Sequence, residues 1–166
     1  MKRNTRGFSL IELLIVVAII LIIAAIAIPS LLQARIAANE SSAVASLRTI
    51  NTAMITYNST YPSQGYAANL GVLGPDANPC TPSSTNACLI DSALATGWKA
   101  GYNFAALGGA PQNGVNTNYF ASAIPVTLKV TGNRSFCADD DAVVRFQSSG
   151  AGIASRAACA ALPPVQ

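Results

Sequence analysis

Residues 13–28 are sixteen consecutive apolar side chains, and one acid, Glu12, stands at the head of the run. From Phe8 to Leu32 the apolar stretch is 25 residues, about 37 Å as a helix against a bilayer hydrocarbon core of about 30 Å. Past Pro29 the pattern changes. Leu47, Ile50, Met54, Tyr57 and Tyr61 recur at steps of three and four, which makes one apolar stripe on a helix. Arg48, Asn51, Thr52 and Ser59 fall on the opposite face. The pattern predicts one long helix over 8–58. Its first part, 8–32, is apolar all round, and its second part packs on a globular domain. Pro29 withholds a backbone N–H and predicts a kink.

Tyr61-Pro62-Ser63-Gln64-Gly65 ends the helix. Residues 59–97 read as a connecting loop rich in Pro, Gly, Asn and Ser, with a short helix at 67–73 or 91–96. Strand signals come next at Tyr102–Leu107 and Tyr119–Ala123, then a hairpin of Ser135–Ala138 and Ala142–Phe146 turning at Asp139–Asp141. Gly108–Gly114 reads as a break, and Pro125 limits the middle strand. Residues 98–166 thus form an antiparallel sheet and a C-terminal region bounded by a disulfide. The fold class is α+β, with the sheet laid on the C-terminal half of the long helix.

Charge placement matters more than the net +3. Lys2, Arg3 and Arg6 lie in a short leader, and the rest of the chain carries seven bases and seven acids. The leader's charges mark the cytoplasmic side, so the chain beyond the apolar run lies across the membrane. No basic cluster argues for nucleic acid. Four cysteines in an exported domain suggest disulfides. Three connectivities are open, and Cys80–Cys88 with Cys137–Cys159 needs the least rearrangement of the chain. Metal binding is disfavoured by the absence of histidine and of C-x-x-C spacing.

Three readings compete for the N-terminal run: a signal peptide cut near Ala25-Ile26-Ala27, a plain anchor, or an export signal cut ahead of the run. An ionised carboxylate costs roughly 2.5–3.5 kcal/mol at a bilayer centre, so Glu12 calls for a partner within the membrane. Gly7-Phe8-Ser9-Leu10-Ile11-Glu12-Leu13-Leu14-Ile15-Val16 resembles the type IV prepilin cleavage and methylation motif. The resemblance implies that a prepilin peptidase cuts between Gly7 and Phe8, removing leader 1–7, and methylates the Phe8 amine. It also implies that Glu12 pairs with the N-terminal amine of an adjacent subunit. Such a pair is favourable only with good geometry, and so it would set register between subunits. Many family members have glycine where this chain has Leu21, a residue that favours helix.

Other chemistry finds less support. Asp139-Asp140-Asp141 suits a hairpin turn better than a calcium site, because alternate side chains diverge in extended chain. No nucleophile elbow, phosphate loop or catalytic carboxylate pair is present, so no enzymatic activity and no cofactor are expected. The resemblance implies a structural pilin subunit. Its precursor sits in inner-membrane lipid as a single pass with a cytoplasmic N-terminus. It then polymerises with other pilins into a cell-surface filament through inner-membrane assembly machinery. The alternatives are a pseudopilin of a type II secretion system, which would stay in the periplasm, and a minor pilin acting as an adhesion or DNA-uptake module.

Overall fold

The computed structural model describes residues 9–77 and 79–165. The chain divides into two compact units, residues 1–35 and 36–166.

Helix α1, Leu10–Thr60, contributes to both. The helix continues through Pro29. In the first unit no residue from 9 to 35 is buried. In the second unit the predicted stripe is the core face. Leu47, Ile50 and Met54 are fully buried, Tyr57 nearly so, and Ile36, Ala43 and Ala53 extend the stripe. Asn51 departs from the expected exposed face. It is buried, donating to the Ala142 carbonyl (3.1 Å) and accepting from the Tyr119 hydroxyl (3.1 Å). A buried amide is tolerated only with such partners.

The loop after α1 holds both short helices that the sequence offers as alternatives, α2 (Leu70–Leu73) and α3 (Ser92–Ala95), capped by Asn69 and Asp91. Five antiparallel strands come next in sheet order: β1 (Trp98–Lys99), β2 (Tyr102–Gln112), β3 (Val115–Pro125), β4 (Ser135–Asp139) and β5 (Arg145–Gln147). Inward residues Tyr102, Phe104, Ala106, Tyr119, Ala121, Ala123, Phe136 and Ala138 meet the α1 stripe in one core. Strand β4 is buried on both faces, because α4 (Arg156–Ala160) covers its outer side at Cys137.

Two strand expectations need correction. Gly108–Gly114 does not break the first strand: β2 continues to Gln112, and the reversal is the dipeptide Asn113-Gly114 alone, with φ of 51° and 84°. Two positive φ values in a two-residue loop are what a hairpin twist requires. Gly108 serves close approach instead, since a Cβ there would lie 2.7 Å from the Ala67 carbonyl. After β4, residues Ala142–Val144 are not strand, and β5 is only Arg145–Gln147. The C-terminal tail is also ordered. Phe146 N donates to the Pro163 carbonyl (3.1 Å) and Val165 N to the Val144 carbonyl (2.8 Å), so residues 163–165 run along the β5 edge.

Candidate functional site

Gly7 and Phe8, the residues of the expected cleavage and methylation, lie outside the described residues. The site begins at Ser9. Its backbone N–H donates to Glu12 Oε2 (2.9 Å), while Leu13 N donates to the Ser9 carbonyl (3.3 Å). Ser9-Leu10-Ile11-Glu12 has the S-x-x-E spacing of a capping box, in which the acid reaches back to a helix's first free N–H. The glutamate therefore has a local role besides the pairing between subunits that the motif implies, and its spacing from Ser9 is the signal for it. One bond does not exhaust the carboxylate, because an ionised one has about four acceptor sites. Beyond Glu12 the helix surface is aliphatic and uncovered. Leu10, Ile26 and Leu31 are more than 70% exposed, and the helix is long and apolar enough to cross a membrane. A helix apolar all round is stable only when something apolar surrounds it.

A second carboxylate on α1 has a different setting. Glu40 is buried and faces the loop before β4. Its Oε1 accepts from Asn133 N (2.9 Å) and Arg134 N (3.1 Å), and its Oε2 from Arg134 Nε (2.8 Å), with Arg134 Nη2 at 2.7 Å. The same guanidinium stands over the rings of Phe136 (5.5 Å) and Phe146 (5.4 Å). Nearby, burial, aided by the Glu40 charge, pushes the Tyr102 phenol well above its ordinary range, and its hydroxyl donates to the Arg134 carbonyl (2.8 Å). Periodicity alone does not find this clamp. The available signal is position: Ile36, Glu40, Ala43 and Leu47 lie along one helical face, so an acid sits inside an apolar stripe.

Two disulfides, Cys80–Cys88 and Cys137–Cys159, close loops of 8 and 22 residues' separation. The first staples the segment before α3, where Ala87 N donates to the Val72 carbonyl (2.7 Å) and Tyr57 Oη to the Ser84 carbonyl (2.5 Å). The second fixes α4 to β4, packed among Ile153, Phe120 and Leu162.

The acidic turn is spent on arginines. Asp140 pairs with Arg156 of α4, and Asp141 with Arg145, whose other neighbour is Asp139 at 3.7 Å. The Arg145 hydrogen bond holds the Asp141 carboxyl well below the usual range, while burial raises that of Asp139. Among the described residues no group of three or more histidine, cysteine, aspartate or glutamate side chains is arranged to hold a metal.

Residues 2–28 match the family described as the prokaryotic N-terminal methylation motif. Over 96 residues the chain is 41% identical to the type IV wide pilus major component PilA4 of Thermus thermophilus, an alignment covering 53% of this chain and 73% of that protein. No solved structure matches the chain significantly.

Proposed function

The chain belongs to the type IV pilin family, as a membrane-anchored structural subunit that polymerises with other pilins, and on that premise we propose that it is the major subunit of a cell-surface filament. The observation that carries this reading is the uncovered aliphatic surface of residues 9–35 with a single carboxylate at its head. Lipid covers that surface in the precursor, and copies of the same helix cover it in the polymer.

Maturation prepares the exchange. The prepilin peptidase cuts between Gly7 and Phe8 and methylates the new Phe8 amine. Cleavage removes Lys2, Arg3 and Arg6 and leaves one positive amine beside the apolar run. Glu12 of a neighbouring subunit accepts that amine while still holding its own Ser9 N–H. Two charges thereby leave water together, and the pairing sets the axial register of the helices. Pro29 bends the rod, since its ring withholds the N–H that the Ala25 carbonyl would accept. The leader's positive charges keep the precursor's N-terminus cytoplasmic, and inner-membrane assembly machinery extracts the helix. No catalytic role is assigned to any side chain.

Mass spectrometry of the native N-terminus tests the maturation scheme. A mature chain starting at methylated Phe8 is expected, and a start near Ile28 overturns the reading. Electron microscopy of cells carrying a tagged chain tests the filament itself. Surface fibres that contain the chain support a pilus subunit, and their absence together with a secretion defect points to a pseudopilin.

A further inference from the structure

The β3–β4 connection closes on itself. The Thr127 carbonyl accepts from Val130 N (3.2 Å), Thr131 N (2.9 Å) and Thr131 Oγ1 (3.1 Å), and Lys129 N donates to the Gly132 carbonyl (2.9 Å). Asn39 Nδ2 ties the loop to α1 through the Thr131 carbonyl (2.9 Å), next to the Glu40 clamp. Much of its polar backbone is paired, yet its large side chains stay about half exposed, with Leu128 resting its Cδ1 against Gly150. Val126, Leu128 and Val130 are 49%, 46% and 52% exposed. Between them Lys129 is exposed and has no ion-pair partner among the described residues.

Hydrogen bonds along β3 fix the level of this loop within residues 36–166. Asn116 N donates to the Gln64 carbonyl (3.0 Å), just past the end of α1. Tyr119 reaches Asn51, and the loop after Pro125 reaches Asn39 and Glu40. Strand β3 thus runs down α1 from its C-terminal end. The loop lies at the end of this unit that the chain enters from Arg35, and Asn39 comes seven residues after Leu32.

An ordered loop that presents aliphatic side chains around an unpaired cation has the make-up of an interfacial anchor, suited to the boundary between acyl chains and anionic headgroups. We propose that in the membrane-inserted precursor Val126, Leu128 and Val130 seat in the lipid headgroup layer, with Lys129 against an anionic lipid phosphate. The proposal rests on the reading of residues 8–32 as the membrane span. Lipid is favoured over a second copy of the chain by the cation at the tip and by the short tether from Leu32 to Asn39. Release of this contact then accompanies extraction into the polymer.

Tryptophan quenching in the full-length chain tests it. Trp98 is the chain's only tryptophan and is exposed, so Trp98→Phe gives a silent background. Leu128→Trp in that background is reconstituted into phosphatidylethanolamine–phosphatidylglycerol vesicles with brominated acyl chains, beside a Leu32→Trp control. The expected result is quenching of Leu128→Trp comparable to that of Leu32→Trp. Adding Lys129→Glu should reduce the Leu128→Trp quenching in these anionic vesicles and leave it unchanged in neutral phosphatidylcholine. An unquenched Leu128→Trp beside a quenched Leu32→Trp overturns the proposal and leaves the membrane span standing. If the unquenched emission is also blue-shifted and fades on dilution, the occupant is a second copy. Lack of quenching at Leu32→Trp overturns the span and the proposal together. Val130→Trp replaces Leu128→Trp if the latter loses its near-ultraviolet circular dichroism.

Discussion

The two ends of α1 share a backbone and differ in what covers them. From residue 36 to 60 the helix buries a stripe against its own sheet, and its carboxylate, Glu40, receives four short contacts from Asn133 and Arg134. From residue 9 to 35 the side chains are more apolar, yet none is buried, and among the described residues Glu12 has one bond, from Ser9. The domain end is complete within one chain. The N-terminal end is uncovered among the described residues, and the reading proposed above has lipid and then other subunits cover it. Hydrophobicity alone therefore does not say where a residue's packing partner resides. The carboxylates differ in the same way: Glu40 is engaged at both oxygens within the domain, whereas the bond from Ser9 leaves acceptor sites on Glu12 open to a further donor.

That contrast is open to test. Glu12→Ala should abolish or severely impair filaments, scored by electron microscopy, while membrane insertion and cleavage persist. Normal filaments from this variant would remove the charge-pair argument. Leu47→Ala and Leu21→Ala, the same substitution at the two ends, should differ sharply. The first opens a cavity in the core and costs about 2–5 kcal/mol, read as a lower thermal midpoint of the full chain in detergent. The second should leave that midpoint unchanged. Glu40→Ala, which strips charged hydrogen bonds from a partly exposed arginine, should cost about 1–3 kcal/mol without touching maturation at Phe8.

The smallest effect is expected at Asp91. Its hydrogen bond from Lys99 and its capping of Leu94 N hold its carboxyl below the usual range. A depressed folded-state value means that its stabilisation is full above the unfolded carboxylate value of about 3.9 and is lost as pH falls through the lower folded one. Asp91→Ala should lower stability by about 1 kcal/mol at neutral pH, and titration of the thermal midpoint should show the gap to the native chain closing in acid.

Much of this fold is legible in the sequence, and the departures share a cause. The long helix, its stripe from Leu47 to Tyr57 and the α+β order come from periodicity, which is a local signal. Periodicity puts Asn51 on the wet face because its partners, Ala142 and Tyr119, are distant in sequence. Gly108-Gly109 looks like a strand break because the segment at Ala67 that needs the missing Cβ is equally remote. The Asn113-Gly114 turn is a local signal, overshadowed by the glycines and the proline before it. Strand β1 is two residues long and α4 five, too short for any period to register. At the candidate site, the capping spacing of Ser9 and Glu12 is readable, whereas the Arg134 clamp joins residues 94 positions apart.

The tail along β5 bears on how a polymer of such domains avoids going wrong. Crowded sheets with bare edges are prone to add strands from one another and grow into cross-β aggregates. Here Pro163 and Pro164 occupy that margin, and proline has no amide hydrogen to offer an incoming strand. The sheet is thereby closed to recruitment on that flank.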